Sequence, residues 1–561
     1  MRITNKIMQN NSLSNINMTK VNEDRLSSQM TTGKKNVRPS DDPVTAIRAL
    51  RLRSNVTQIT QYYKNNSKDA EAWLDTTADA LEQEVTVLDS IITQYTNGVN
   101  QYLTSSDRQV ILTELEALRD EVYATGDVDY AGRYVFTGYR TDTSLMFRED
   151  TEKTYTITEQ LTADDILTGY HVDTIFTATG TDDDGNATTT DTDLLAMTEG
   201  TYTAYTDVTE QEITNSTYHR IRTSYKDLDN AGVVISYSTD ASTATTASFD
   251  VESLSSTVIP SPYDRITTDA YADKAIFLAD TGEILLGSNV YSTLSTATNI
   301  DITYQKTSWE EGDLRPEHYF FCATNGTNGT NNLTLTVGTT STSTGLEAFA
   351  SYVQATKYTT TDTVTLDTGD DILYNETYLS ATADKQVIEY DVGFNQRLQV
   401  NTTADEAFDP SVVREIDDMI SAINNLTEIE ELVGTLEDMI DATTDDTVKA
   451  TLQQQLDAAN KAYDYAAENV KTMFESGITT MQNYQEKVTL AATDCGARGE
   501  RLELIQARLV SQKSTFEELQ SENEDVDLAE TAVKLASAEL SYEASLQATS
   551  KIMKTNLMQY I

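Results

Sequence analysis

Two stretches of this chain keep an apolar spacing of threes and fours for longer than a free helix can hide. The first runs from Val44 to Tyr102 and includes Val56, Ile59, Tyr63, Ala70, Trp73, Leu81, Leu88, Ile92, Tyr95 and Val99. It predicts one helix of roughly 90 Å at about 1.5 Å per residue. The second, Asp446 to Leu519, carries Leu452, Ala466, Val470, Met473, Met481, Val488, Leu502, Ile505 and Leu509, and predicts a counterpart of roughly 110 Å. A helix that long cannot fold back on its own stripe, so it must lie along other long helices. This sets the fold class as α+β: a long antiparallel, coiled-coil-like helical rod built from both chain ends, with a β-rich region inserted between them.

The remaining segments fit that plan. Met1 to Met30 reads as a helix with Ile3, Ile7, Leu26 and Met30 among its apolar positions, but Asn and Ser interrupt the stripe and leave it marginal alone. Thr32-Gly33 ends it, an irregular link comes next, and Asp42 before Pro43 supplies an N-cap with proline at the first helical position. Ser105-Ser106-Asp107 cap a shorter helix, and Tyr130 to Phe147 reads as an aromatic, Gly-punctuated hairpin. Between Asp150 and Phe394 short alternating runs dominate, among them Thr201–Tyr205, Val233–Tyr237 and a hairpin of Ala275–Leu278 with Glu283–Leu286. Val413, Ile416, Ile420 and Ile423 open another helix, which Thr443-Thr444-Asp445 interrupts.

The last helix, Asp525 to Ile561, places Leu528, Leu535, Tyr542, Leu546, Met553 and Leu557 on one stripe and ends on Ile561 with no polar cap. Such an end calls for burial by another molecule or segment. The expected domains are therefore 1–43 with 521–561 as terminal helices, 44–147 with 395–520 as the rod and its hairpin, and 148–394 as a solvent-facing insert.

Charge narrows the class. The formal net charge is -50, from 90 acidic and 40 basic residues, which excludes nucleic acid along the length of the chain. The signs are unevenly placed. Up to Arg53 ten basic residues face four acidic ones, whereas from Gln520 onward three face seven. Opposite ends favour pairing of the termini, with each other or between neighbouring subunits. No run of about 18 apolar residues exists, so membrane insertion is not expected, nor is a cleaved secretory signal. Two cysteines, Cys322 and Cys495, make neither a disulfide framework nor a zinc-ligand pair.

Catalytic signatures are missing: there are three histidines, and no His-Glu-x-x-His, P-loop, Gly-x-Ser-x-Gly or Cys-x-x-Cys. Glu317, His318 and Cys322 can be drawn as a metal site, but neighbouring residues on one strand point to opposite faces. Asp182-Asp183-Asp184-Gly185-Asn186 lacks the alternation and closing Glu of a calcium loop, so a polar turn is the better reading. No cofactor, metal or catalytic residue is expected, and the chain reads as a non-enzyme.

Several motifs together resemble the flagellin superfamily. They are the opening Met1-Arg2-Ile3-Thr4-Asn5, and the stretch Leu26 to Pro43 with its Thr-Thr-Gly break, basic pair and Arg-Pro-Ser-Asp-Asp-Pro. Gly132 to Gly138, Gly496-Ala497-Arg498 and Asp525 to Glu530 are similar to the family's hairpin, C-terminal rod and last-helix opening. Flagellin proper usually has Ala where Pro39 and Pro43 stand, which turns the match toward the hook–filament junction branch. The resemblance covers 1–147 and 390–561 and leaves the insert out.

It implies an extracellular flagellar subunit, exported through the flagellar type III apparatus, on which flagellin polymerises. The partners implied are copies of itself in a ring, a hook-side junction protein, flagellin and a cytoplasmic export chaperone. The residues expected at the assembly interface are Ile3, Ile7, Leu26, Met30, Pro39, Asp41, Asp42, Pro43, Arg498, Leu528, Leu535, Tyr542, Leu546, Met553, Leu557 and Ile561. Rival readings are a bulk filament subunit, an adhesin-like surface module carried by the insert, and an enzyme hidden there.

Overall fold

The computed structural model describes residues 5–36, 38–100, 103–181, 187–197, 202, 208–240, 243–246, 249–325, 333–337, 341–357, 364–367, 371–374 and 386–554. The Asp182–Asn186 turn lies outside the described residues, as does all of the run at 201–205 except Tyr202.

The helices keep the expected order. From the N-terminal side come α1 (Asn5–Thr32), α2 (Pro43–Gln61), α3 (Ser67–Gly98) and α4 (Ser105–Val122). The insert holds the short helices α5 (Pro262–Arg265), α6 (Ser288–Leu294) and α7 (Leu346–Lys357), and α8 (Ala404–Ala407) lies just beyond it. Then come α9 (Ser411–Ala442), α10 (Asp446–Glu524, 79 residues) and α11 (Leu528–Lys554). The single helix expected from Val44 runs through α2 and α3 to Gly98 without leaving the helical conformation, its hydrogen bonds widening to π spacing at Tyr62–Asn66. α10 runs unbroken through Gly496 and Gly499. The cap of α4 is Thr104, whose hydroxyl and Asp107 form a reciprocal capping box. The predicted hairpin after α4 shrinks to Asp129–Tyr130 paired with Arg133–Tyr134. Turns occupy most of the segment from there to Phe147, because Gly132 and Gly138 take positive φ and punctuate the strand pattern.

The chain divides into two compact units. One comprises 73–388 and 400–497. Its helical part buries Trp73, Leu81, Leu88 and Tyr95 of α3 against Leu115 of α4, Ile416 and Ile423 of α9, and Val470, Phe474 and Met481 of α10. The closest approach of α3 and α10 is reciprocal. A β-carbon on Gly98 would sit 2.4 Å from the Phe474 ring, and one on Gly477 would sit 2.5 Å from the Tyr95 ring. Those two rings meet edge-on at 5.5 Å. Each helix thus supplies a glycine that seats the other's aromatic side chain.

The insert in this unit carries two main sheets. One has six strands in the order Ile372–Tyr374, Phe321–Thr324, Thr151–Leu161, Asn299–Trp309, Val234–Asp240, Thr243–Thr246. The other has five: Asp250–Leu254, Lys274–Leu278, Glu283–Leu286, Thr214–Arg222, Ile166–Asp173. The hairpin expected at 275–286 forms, with Gly282 at φ +67 in its turn. Ionic contacts tie the second sheet to α9. Asp418 accepts from both Arg220 and Arg222 at 2.5 Å, and Arg414 donates to the Thr223 carbonyl at 3.3 Å. The paired arginines hold the Asp418 carboxyl down at about 2 against the opposing pull of its burial. Glu317 and His318 stand on a 3-10 turn rather than a strand, with His318 Nε2 2.9 Å from the Ser144 carbonyl, while Cys322 is on a buried strand. Among the described residues no group of three or more His, Cys, Asp or Glu is arranged to hold a metal. Among them, too, no helix is long and apolar enough to cross a membrane.

The other unit comprises 1–72, 389–399 and 498–561. It contains α1, α2, the end of α10, α11 and a hairpin of Glu389–Gly393 with Gln396–Gln399. The hairpin braces the π-turn: Phe394 meets Tyr62 edge-on at 5.5 Å, and Asn66 Nδ2 donates to the Asp391 carbonyl at 2.8 Å.

Candidate assembly surface

The unit built from the chain ends is where the expected interface residues gather. Thr32 closes α1, and Gly33 at φ +70 reverses the chain, its amide donating to the Gln29 carbonyl at 2.8 Å. The same turn is stitched to the start of α11. Val526 N donates to the Gly33 carbonyl at 3.0 Å, and Lys35 N donates to the Glu524 carbonyl at 2.7 Å. Charge reinforces the stitch. Lys34 Nζ lies 2.5 Å from Asp525 and 3.3 Å from Glu524, and Arg53 grips Glu524 with two donors at 2.8 and 2.5 Å. Arg53 and then Lys34 hold the Glu524 carboxyl below its usual range, and Lys34 does the same to Asp525. The opposite charges of the two chain ends therefore meet within one chain.

Past this clasp, α1 and α11 lie side by side and antiparallel, since the last turn of α1 meets the first residues of α11. Asp527 caps α11, accepting from Ala529 N and Glu530 N. The more covered positions of α1 include Gln9, Ser12, Ile16, Thr19, Glu23 and Leu26. Those of α11 include Thr531, Leu535, Ala538, Tyr542, Ser545 and Thr549. Both sets alternate steps of three and four, the seam of a two-helix coiled coil. The seam is mostly polar or small.

The apolar residues largely look the other way. Val21 is 68 % exposed, Val533 72 % and Leu540 68 %. Among the described residues, 17 of the exposed large hydrophobics belong to this unit and 6 to the other, although the other is far larger.

The expected interface residues divide accordingly. Leu26 is buried in the seam, and Leu535 and Tyr542 are partly covered there. Ile7, Met30, Leu528 and Leu546 face outward. Pro39 and Asp41 are exposed in the link, Pro43 opens α2, and the Asp42 side chain accepts from Val44 N and Thr45 N. Arg498 is partly exposed within α10. Met553 is in α11, its side chain outside the described residues, and Ile3, Leu557 and Ile561 lie outside them altogether. Sequence reading missed Arg53 and Glu524 as a pair. Their signal was the unequal charge of the two ends, which does not say which residues meet.

Residues 3–141 match the family model for the bacterial flagellin N-terminal helical region. That end of the chain is flagellin-like. The chain is also similar to the flagellar hook-associated protein 3 of Salmonella typhimurium, 30 % identical over 154 residues, covering 25 % of this chain and 45 % of that protein. The protein of the same name from Escherichia coli is 28 % identical over 150 residues, covering 27 % and 47 %. The match thus spans just under half the length of these curated relatives. A crystal structure of flagellar hook-associated protein 3 from Legionella pneumophila aligns over 84 % of this chain and 97 % of its own, at 12 % identity and a TM-score of 0.24.

Proposed function

We propose that the chain is a structural subunit of the bacterial flagellum, an adaptor seated at the hook–filament junction on which flagellin polymerises. One observation carries the reading: the two chain ends are clasped into a helix pair that leaves most of its apolar residues uncovered. A surface of that kind gains its free energy from neighbours, at roughly 25 cal/mol per Å² of apolar area covered. In this reading 1–43 and 521–561 line the core of a tube, 44–147 and 395–520 form the rod, and 148–394 faces solvent. Its partners are copies of itself in a ring, the hook-side junction protein and flagellin, with an export chaperone shielding α11 beforehand. The chain travels through the type III apparatus to the cell exterior and works without catalysis. The names of the matched relatives support this reading.

The test has two parts. Ending the chain after Leu540 should leave secretion intact but yield cells that fail to retain filaments; normal motility rejects the assignment. Labelling the insert by immunogold should mark one end of the filament, whereas label along the whole length favours a bulk filament subunit.

A further inference from the structure

We infer that α2 and the last turns of α10 are the two halves of one contact between copies, with Val44, Ile47 and Arg51 of one chain seated against Glu518, Leu519 and Glu522 of the next. This rests on the assembly role proposed above and names the surface and its occupant, a second copy of this chain.

The 19 residues of α2 include three arginines and no acidic residue, in a chain that is otherwise strongly acidic. Arg53 is held by Glu524, and Arg48 lies near Asp42, but Arg51 has no carboxylate within ion-pair distance among the described residues. Beside Arg51, Val44 is 61 % and Ile47 55 % exposed. An apolar face edged by an unanswered cation calls for a partner that is apolar and acidic.

The end of α10 has that chemistry. Leu519 is exposed between Glu518 and Glu522, and whereas Glu517 pairs with Lys513 at 3.6 Å, those two carboxylates form no ion pair among the described residues, Lys35 Nζ donating to the Glu522 main-chain carbonyl instead. The two patches cannot meet within one chain. α2 and α10 already touch through Asn523 Nδ2 on the Thr45 carbonyl at 3.2 Å and through Arg53 on Glu524. At about 100° per residue, Glu518, Leu519 and Glu522 fall on the side of α10 opposite Glu524, and Val44, Ile47 and Arg51 on the side of α2 opposite Ala49. Two different, complementary patches on opposite sides of one unit make a head-to-tail contact, which repeats into a ring or a helix of subunits. Opposite charge fixes the register and apolar contact holds it.

The test uses the full chain in hook–filament particles isolated from cells. With Ile47→Cys and Leu519→Cys in the same chain, mild oxidation should give disulfide-linked dimers and higher multimers, and neither single variant should. The native Cys322 and Cys495 are buried and do not compete. The chain present in the particles without cross-links overturns this contact and leaves the junction reading standing. The chain absent from the particles overturns both. Separately, Arg51→Glu should reduce filament-bearing cells at least tenfold, and adding Glu518→Arg with Glu522→Arg should restore at least half of them. Failure of the swap to restore filaments rejects the contact.

Discussion

The two units treat their apolar residues in opposite ways. Among the described residues, the unit made from the chain ends exposes 17 large hydrophobics and buries 9 hydrophobic residues, whereas the other exposes 6 and buries 83. The larger unit has a core that can stabilise it alone. The smaller one is held by a clasp, a polar seam and a braced π-turn, and keeps about half of its large apolar side chains on the outside. In the proposed reading, folding and assembly fall to different parts of one chain.

That contrast can be broken most forcefully in the core. Trp73→Ala removes a fully buried side chain and should destabilise the larger unit by about 3–5 kcal/mol, measured by chemical denaturation of the full chain. A loss below about 1 kcal/mol would mean this core is not what holds that unit.

Next in size is a pH effect. Glu84 is buried, with the Thr125 hydroxyl 2.7 Å from its Oε2. Burial pushes its carboxyl up from 4.5 to about 8, against the pull of Thr125 and with a small push from Glu121. The unfolded chain releases this proton near pH 4.5 while the folded chain keeps it until about 8, so stability falls as pH climbs between those values and levels off above. Glu84→Gln should flatten that slope and stabilise the chain at pH 7 by about 2–3 kcal/mol. An unchanged slope rejects a proton on Glu84.

Gly477→Ala should cost about 1–3 kcal/mol, because its new methyl meets the Tyr95 ring; thermal unfolding reads it. Smaller still is the clasp: Glu524→Gln should cost under about 1 kcal/mol, since Arg53 and Lys34 are largely solvated. Amide exchange near Gly33 and Val526 should nonetheless quicken. The smallest effect on the free chain is the most telling. Leu540→Ser lies on the open face of α11 and should change monomer stability by under about 0.5 kcal/mol. It should still reduce filament retention, and unaltered motility would show that this face meets nothing.

The sequence made the helical rod legible because its signal is local and repeats: a stripe at helical spacing reports burial wherever the partner comes from. The hairpin at 275–286 was legible for the same reason, with its turn residue in place. What escaped depends on residues distant in the chain. Gly98 and Gly477 look like weak points until Phe474 and Tyr95 are seen resting on them. The sheet order of the insert joins strands such as Thr151–Leu161 and Asn299–Trp309, whose pairing no local pattern announces. What local pattern could not assign in α1 is the seam itself. The apolar residues of α1 were expected to form a stripe marginal alone, and beside Ile16 and Leu26 the covered positions include Gln9, Ser12, Thr19 and Glu23. An amphipathic pattern identifies a face that seeks cover, not which neighbour provides it. The expected interface residues Ile7 and Met30 are on that outward side.

The seam between α1 and α11 has one further consequence. Prising the two helices apart wets amides, hydroxyls and small side chains, with only Ile16, Leu26, Leu535, Ala538 and Tyr542 adding oily area. The parted helices are scarcely greasier than the joined pair, so water resists the opening only weakly. A zipper with such soft teeth opens and recloses at little cost.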